Sequence, residues 1–256
     1  VPKLHLADCI ANQQEILSLV QQAAQAGVQV LTFPELTITG YTCADLFFQS
    51  PLLDAAQEAL KQIAAQTASV PMVLLLGVPV AVDNQLFNCA AVLHQGKILG
   101  LVPKTFIPTY NEFYEERWFA SANDLISEEI TYAGQTVPIG ADLLFSAQGL
   151  SDLKIGVEIC EDLWVPIPPS SYQSLYGATL LLNLSASNEL AGKPQYRHQL
   201  VSQQSSRCLA AYVYASAGTG ESTQDAVFSG HSLIYENGTK LCETESFQRQ
   251  NQLVYA

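Results

Sequence analysis

Short apolar strands alternate with helices in this sequence, and a similar order of predicted elements occurs in both halves. In the first half these are helices over 8–26 and 55–68, strands over 28–33 and 71–82, and a hairpin of strands 86–93 and 97–102. In the second half they are strands over 153–159, 179–184 and 211–215, helices over 169–176 and 194–209, and a hairpin over 232–244. Asp8 is the predicted N-cap of the first helix, and Gly27 its stop. This order predicts an α/β fold of two mixed sheets, each with helices on its outer face.

The composition predicts one domain with a large core. The chain has 256 residues, of which 48% are apolar and 14% are charged, and no Gly/Ser-rich linker divides it. The sequence has no initiator methionine, and its last residues still read as a strand. We therefore expect a single domain over 1–256 that is truncated at both ends.

Charge and cysteine usage exclude several classes of partner. The net charge is −13 with only 11 Lys and Arg, which argues against nucleic acid and against anionic membrane surfaces. No apolar run is long enough to span a membrane, and no signal peptide is recognisable. Six scattered cysteines without a C-x-x-C pair are typical of a reducing cytoplasm. Four scattered histidines show no metal-ligand spacing, so no metal site is expected.

Three apolar strands end abruptly, each beside a residue that can take part in chemistry. Pro34 ends one strand before Glu35, and Pro103 ends another before Lys104, because proline cannot donate to a strand ladder. A third strand ends at Cys160, where prolines at 166, 168 and 169 prevent its continuation. Rigid scaffolds tend to hold reacting groups at such strand ends.

Glu35, Lys104 and Cys160 are also the residue types that metal-free amide hydrolysis requires. A carboxylate can take the thiol proton, the thiolate can attack a carbonyl, and an ammonium with backbone N–H groups can stabilise the oxyanion. Each residue alone has an ordinary interpretation as well. Glu35 and Lys104 can be solvated surface residues, and a free cysteine is usually a small buried apolar side chain.

The segments around these residues resemble the signature segments of the nitrilase, or carbon–nitrogen hydrolase, superfamily. They are Phe-Pro-Glu-Leu at 33–36, Pro-Lys at 103–104 and Gly-Val-Glu-Ile-Cys-Glu-Asp at 156–162. The resemblance implies an α–β–β–α sandwich, with Glu35 as general base, Lys104 on the oxyanion side and Cys160 as nucleophile. It also implies that Glu112 is the second glutamate, which orients the lysine and the substrate. Residues 115–117 are expected on a solvated helix face.

Flanking sequence is similar to one branch of that superfamily, the glutaminase domains of glutamine-dependent NAD synthetases. The similarity covers nearly the whole chain and is clearest over 104–115, 157–166 and 207–214. It implies substrate contacts from Tyr110 and Glu161 at the ammonium end of glutamine and from Ser187 and Lys193 at the carboxylate end. It also places Tyr41 near Glu35. We assign Glu158 a supporting role, and Glu158 and Glu112 are the alternative bases if Glu35 is not the base.

The resemblance implies hydrolysis of L-glutamine to L-glutamate and ammonia through a γ-glutamyl thioester on Cys160. The ammonia would serve an NAD synthetase domain, whose pyrophosphate loop of the Ser-Gly-Gly-x-Asp-Ser type is not in this chain. ATP and magnesium would belong to that absent domain, and the glutaminase reaction itself needs no cofactor. The superfamily's habit of subunit stacking implies a homo-oligomer.

Two alternatives remain open at this point. The first is a free-standing carbon–nitrogen hydrolase that acts on another small amide or a carbamoyl compound. The second is a catalytically silent assembly module, whose acidic surface and exposed aromatic side chains bind neighbouring subunits.

Overall fold

The computed structural model describes all residues from 1 to 256. Its helices are α1 (Cys9–Gln25), α2 (Ser50–Gln66), α3 (Pro169–Leu175) and α4 (Lys193–Cys208). Its strands are β1 (Val30–Thr32), β2 (Val73–Val82), β3 (Gln85–His94), β4 (Lys97–Pro103), β5 (Glu129–Tyr132), β6 (Gln135–Pro138), β7 (Leu144–Ser146), β8 (Lys154–Ile159), β9 (Leu180–Ser185), β10 (Ala211–Ser216), β11 (Leu233–Glu236) and β12 (Thr239–Glu243).

The strands form two mixed sheets, as predicted from the order of elements. The first sheet has the order β1-β2-β3-β4, in which β1 and β2 are parallel and the other pairs are antiparallel. The second has the order β12-β11-β10-β9-β8-β7, with β8, β9 and β10 parallel. Strands β5 and β6 form a separate hairpin.

Alternation of side chains along the strands produces a four-layer arrangement. On β2, Leu74 and Leu76 pack into the cluster that contains the buried faces of α1 and α2, whereas Leu75 faces the other way. Leu75 shares its cluster with Val157 on β8, between the two sheets. Helix α4 covers the outer face of the second sheet, where Val201 packs with Tyr212. The order of layers is therefore helix, sheet, sheet, helix.

The sequence predicted the start of α1 correctly and the start of α2 wrongly. The Asp8 side chain accepts a hydrogen bond from Ala11 N at 3.0 Å, and Gly27 has φ +78° after the last turn. Helix α2 begins at Ser50, five residues before the predicted start, because Pro51 is tolerated in a first helical turn.

Strands β5, β6 and β7 were not predicted, and residues 253–256 form no strand. These three elements are only three or four residues long, too short for their alternation to stand out from the surrounding loops. No helix of the chain combines the length and apolar character that a membrane crossing requires.

Gly77 on β2 permits the chain to pass closely over the first sheet immediately after β1. A Cβ at residue 77 would lie 2.0 Å from Leu36 N and 2.7 Å from the Glu35 carbonyl carbon. The Leu36 backbone is left-handed, with φ +49°. Since only glycine leaves room for this crossing, Gly77 fixes where Glu35 emerges from the first sheet.

We predict that Gly77→Ala destabilises the protein by about 1–3 kcal/mol, because the added methyl group meets backbone that cannot rotate away. Gly140→Ala is the matched control, since its new Cβ would crowd only the flexible end of Asp142, at 2.8 Å, and would be in ordinary contact with Leu143 at 3.9 Å. Urea denaturation of both variants measures the difference. Equal stability of the two variants would show that the crossing is not tightly constrained.

Candidate active site

Glu35 lies in a buried turn where the two sheets meet. It lies three residues after the end of β1, and its backbone N donates to the carbonyl of Ser185, at the end of β9, at 3.3 Å. The side chain is 1% exposed. Its Oε1 accepts from Asn88 Nδ2 at 2.6 Å and from Lys104 Nζ at 2.8 Å, while Oε2 has no partner in the protein. One carboxylate oxygen is therefore held, and the other remains available to accept a proton.

Lys104 lies at the end of β4 and is completely buried. Its backbone N donates to Asn88 O at 2.8 Å, and its Nζ contacts Glu35 and both carboxylate oxygens of Glu115, each at 2.8 Å. Burial alone would lower the pKa of Lys104, but the charges of Glu115 and Glu35 outweigh it and hold the pKa well above its ordinary value. The lysine is therefore an ammonium between two carboxylates.

Glu115, not Glu112, is the second glutamate that contacts this lysine, so two predictions from the sequence were wrong. Glu115 is 1% exposed rather than solvated, and its Oε1 also accepts from Tyr41 Oη at 2.7 Å. Glu112 instead accepts a hydrogen bond from Asn188 Nδ2. The irregular segment after Lys104 turns back so that the backbone N of Glu115 donates to the carbonyl of Pro108 at 3.0 Å, and spacing along the chain did not reveal this.

Cys160 lies at the turn that the sequence predicted. Strand β8 ends at Ile159, and Cys160 begins a short 3₁₀ turn that runs to Leu163. Its φ of +45° is left-handed, which is uncommon for a side chain other than glycine and is found at functional turns. Its backbone N donates to Asn183 Oδ1 at 3.1 Å. The next amide, that of Glu161, belongs to a first turn, where N–H groups have no intrahelical acceptor.

The charges around Cys160 connect it to Glu35 and Lys104. Burial raises the pKa of the thiol, and the carboxylate of Glu35 raises it further. The ammonium of Lys104 lowers this pKa, and the carboxylate of Glu115 raises it by a smaller amount. The thiol is therefore protonated at neutral pH. A reaction at this sulfur needs a base that removes the proton as the bond forms.

On β8, Glu158 lies on the face that packs against helix α3, opposite to the face of Val157 and Ile159 between the sheets. Its carboxylate accepts from Ser170 N at 2.8 Å and from the hydroxyl of Tyr212. Tyr212 Oη in turn accepts from Asn183 Nδ2 at 3.1 Å. Burial raises the pKa of Glu158. It contacts neither Glu35 nor Lys104 and is connected to Asn183 only through Tyr212, so its supporting role stays a prediction.

Two of the predicted substrate-binding residues meet near Cys160. Tyr110 Oη donates to the Glu161 carboxylate at 2.9 and 3.0 Å, and the Tyr110 ring packs edge-on against Phe113 at 5.9 Å between ring centroids. Burial raises the pKa of Glu161, whereas the Tyr110 hydroxyl lowers it. Tyr110 remains 49% exposed, so this pair forms an accessible rim.

The other predicted contacts lie on the segment after β9 and at the start of α4. Lys193 Nζ donates to Asn188 Oδ1 and lies over the rings of Trp164 and Phe113, 5.1 and 5.7 Å from their centroids. Burial lowers the pKa of Lys193. Ser187 is buried, and its hydroxyl makes no hydrogen bond of standard geometry within the protein. The structure thus brings together Lys193 and Glu112 through Asn188.

A cluster is formed by His198 on α4, His231 and Glu243 at the end of β12, with ligand atoms within 4.8 Å of one another. Arg197 Nη1 is 2.6 Å from His231 Nδ1. Because a guanidinium can only donate, Nδ1 is the acceptor and Nε2 carries the ring proton toward Glu243. A metal would need the lone pair of Nε2, so this cluster fits a hydrogen-bond network rather than a metal site.

We predict that Lys104→Met lowers the free energy of unfolding by about 3–5 kcal/mol at pH 8, because two buried carboxylates lose their counter-charge. Burial already raises the pKa of Glu115 to about 7, and loss of the ammonium raises it further. A group whose pKa is higher in the folded state binds its proton more tightly there, so the stability of the variant should recover as the pH falls.

Urea denaturation at pH 8 and pH 6 measures this effect. Lys61→Met is the control, because Lys61 pairs with Glu58 on the exposed surface at 3.1 Å and should change stability by no more than about 1 kcal/mol. A Lys104→Met variant as stable as the control at pH 8 would contradict the account of the buried cluster.

Comparison with known proteins places this geometry in a family. The profile described as carbon-nitrogen hydrolase matches residues 5–253. The glutamine-dependent NAD(+) synthetase of Mycobacterium tuberculosis (strain ATCC 25618 / H37Rv) is 43% identical over 244 residues, which are 95% of this chain and 36% of the relative. The enzyme of the same name from Thermotoga maritima is 31% identical over 232 residues, 90% of this chain and 36% of the relative. The chain thus spans about a third of the length of these relatives.

Solved structures of related proteins have the same fold as this chain. A glutamine-dependent NAD(+) synthetase from Cytophaga hutchinsonii superposes with a TM-score of 0.84 and 31% identity over 96% of this chain and 40% of that chain. An amidase of the nitrilase superfamily from Nesterenkonia AN1 has a TM-score of 0.74 at 19% identity, covering 95% of this chain and 84% of that chain, and shares the fold. The predicted nitrilase-type sandwich is confirmed, and the chain belongs to the carbon–nitrogen hydrolase family.

Proposed function

We propose that this domain is a cysteine glutaminase that hydrolyses L-glutamine to L-glutamate and ammonia. The observation that carries the proposal is the buried contact of Lys104 with Glu35 and Glu115, whose charges act on the Cys160 thiol. The similarity to glutamine-dependent NAD(+) synthetases over nearly the whole chain favours glutamine over other amides.

In the proposed acylation, Glu35 takes the thiol proton of Cys160 as the sulfur attacks the side-chain carbonyl carbon of glutamine. Lys104 and the Glu161 backbone N–H stabilise the negative oxygen of the tetrahedral adduct. Protonated Glu35 then gives its proton to the amide nitrogen. The carbon–nitrogen bond breaks, ammonia leaves, and a γ-glutamyl thioester remains on Cys160.

In the proposed deacylation, Glu35 removes a proton from water, and the hydroxyl attacks the thioester carbonyl. The second tetrahedral adduct uses the same oxyanion donors. The carbon–sulfur bond breaks, the thiolate regains the proton from Glu35, and glutamate is released. Glu35 is suited to both steps because its Oε2 has no partner within the protein.

The two charged ends of glutamine match the charged side chains of the rim. We propose that the Glu161 carboxylate, held by Tyr110, binds the substrate ammonium, with Glu112 nearby. Lys193, supported by Asn188 and by the rings of Trp164 and Phe113, would bind the substrate carboxylate. Ser187 would donate to the same carboxylate from its buried position, and Tyr41 would act through Glu115.

We further propose that the ammonia serves NAD synthesis in a synthetase domain outside this sequence, where ATP and magnesium would bind. Two features support this: the chain matches 36% of the length of the NAD(+) synthetases, and it lacks a Ser-Gly-Gly-x-Asp-Ser loop. The glutaminase reaction needs no cofactor. A homo-oligomer in the cytoplasm is part of the same proposal.

The direct test is ammonia release from glutamine, asparagine and small aliphatic amides. We expect glutamine to be hydrolysed preferentially, and Cys160→Ala to reduce turnover by about 10³-fold or more while the fold is kept. Glu35→Gln should reduce it by about 10²–10⁴-fold, because an amide cannot accept the thiol proton. Activity on aliphatic amides with none on glutamine would favour a hydrolase of other amides. No turnover of any amide would favour a silent assembly module.

The pH dependence of turnover tests the role of Glu115. Burial raises the pKa of Glu115 to about 7, Lys104 opposes this, and the charge of Glu35 adds to it. A proton on Glu115, whose pKa is about 7, removes one of the two charges that hold the Lys104 ammonium, so kcat/KM should fall as the pH drops below about 7.

In Glu115→Gln the carboxyl that titrates in this range is gone, so the acidic limb near pH 7 should disappear even though the maximal rate falls. Glu116→Gln, at an exposed position next in the chain, is the control and should leave the limb in place. An unchanged limb in Glu115→Gln would show that a group other than Glu115 titrates there.

A further inference from the structure

We propose that Asp162 is a positioning residue that holds the Cys160 turn and the Lys104 strand end at a fixed distance from each other. The inference rests on the proposed function, since it concerns the same two reacting side chains. It assigns a role to a carboxylate two residues after the nucleophile that takes no part in the proton transfers described above.

The hydrogen bonds of Asp162 reach both segments at once. Its Oδ2 accepts from Ile159 N at 2.9 Å, and its Oδ1 accepts from Thr105 N at 3.1 Å and Phe106 N at 2.8 Å. The two segments are 56 to 57 residues apart in the chain. Asp162 is 2% exposed. One buried carboxylate is therefore shared by backbone donors from two separate strand ends.

The donors are adjacent to the residues that matter for the chemistry. Ile159 precedes Cys160 directly, and Thr105 follows Lys104 directly. Both Lys104 and Cys160 lie where regular strand pairing has ended, and Cys160 has φ +45°. No strand ladder holds Lys104 and Cys160 against each other. The carboxylate of Asp162 instead connects the two strand ends through hydrogen bonds to their backbone N–H groups.

Keeping a carboxylate in this place is unfavourable by itself. Burial raises the pKa of Asp162, and the backbone donors of Ile159 and Phe106 oppose that rise because they hydrogen-bond to the charged form. Three N–H donors to one buried carboxylate are the strong, charge-assisted kind of hydrogen bond. A displacement of about 1 Å between reacting groups can cost a factor of about 10² in rate, so a link of this kind bears directly on turnover.

Asp83 provides a control, because its half-buried carboxylate also accepts from two backbone N–H groups and contacts none of the site residues. Its Oδ2 accepts from Ile126 N and Ser127 N, both at 2.9 Å, and its Oδ1 accepts from Ser127 Oγ at 2.7 Å. Asp83→Asn and Asp162→Asn each replace one acceptor oxygen with a donor NH₂ group. A carboxylate that only stabilises the fold should change thermal unfolding but neither kcat nor the alkylation of Cys160, at either position.

The test compares the two variants by thermal unfolding, by kcat and KM for glutamine, and by alkylation of Cys160. Iodoacetate, an anion, and iodoacetamide, which is neutral, are the probes. The alkylation ratio, defined as the iodoacetate rate divided by the iodoacetamide rate, reports the ammonium near the sulfur. A change in access to the sulfur alters both rates together. For Asp162→Asn we expect kcat to fall about 10–100-fold with KM within about twofold, and the alkylation ratio to fall. Asp162→Glu, which keeps the charge, should recover part of kcat.

Asp83→Asn should leave kcat and the alkylation ratio unchanged. If Asp162→Asn folds and also leaves both unchanged, or if Asp83→Asn changes them equally, the proposal is wrong. If the unaltered protein does not hydrolyse glutamine, the proposed function fails, and the alkylation ratio alone decides about Asp162.

If neither Asp162 variant folds, hydrogen exchange in the unaltered protein decides. The amides of Thr105, Phe106 and Ile159 should then exchange with one common free energy of opening, because one carboxylate holds all three. Exchange at Thr105 and Phe106 about 100-fold faster than at Ile159 would show that the two segments open separately and would overturn the proposal.

Discussion

A fully buried ammonium between two carboxylates is the interaction on which this structure depends. Lys104 contacts Glu35 and Glu115 at 2.8 Å, and none of the three side chains reaches solvent appreciably. Removing such a group from water is unfavourable unless each charge keeps its partners. The fold therefore has to position all three side chains within hydrogen-bond distance of one another. Their positions also determine the electrostatic potential at the Cys160 thiol.

The two sheets make this delivery possible because each contributes part of the site. The first sheet supplies Glu35 and Lys104, while the second supplies Cys160 at the end of β8 and Asn183 on β9. Contacts between the sheets fix their relative position. These contacts include the hydrogen bond from Glu35 N to the Ser185 carbonyl and the apolar cluster between the sheets. Lys104 and Cys160 thus each lie at the end of a strand, and the backbone N of each donates to a residue on the neighbouring strand, Asn88 on β3 and Asn183 on β9.

The sequence predicted the strand ends well and the loops between them poorly. Proline after a short apolar run marks a strand end locally, so Glu35, Lys104 and the Cys160 turn could be located without coordinates. Glu115 could not, because its burial depends on how an irregular segment folds back over Lys104. Glu112 had the expected spacing, but it contacts Asn188 instead. The contacts of Asp162 could not be predicted either, since two of its three partners are backbone amides 56 to 57 residues away.

The most direct measurement of the central claim is peptide mapping after treatment with an electrophile built on the glutamine skeleton. The account predicts one adduct, on Cys160, that excess glutamine suppresses. The five other cysteines are internal controls, all free and none of them exposed (Cys9, Cys43, Cys89, Cys208 and Cys242). Labelling that spreads over several cysteines, or labelling of Cys160 that glutamine leaves unchanged, would contradict the claim that this sulfur and its buried charges form a glutamine site.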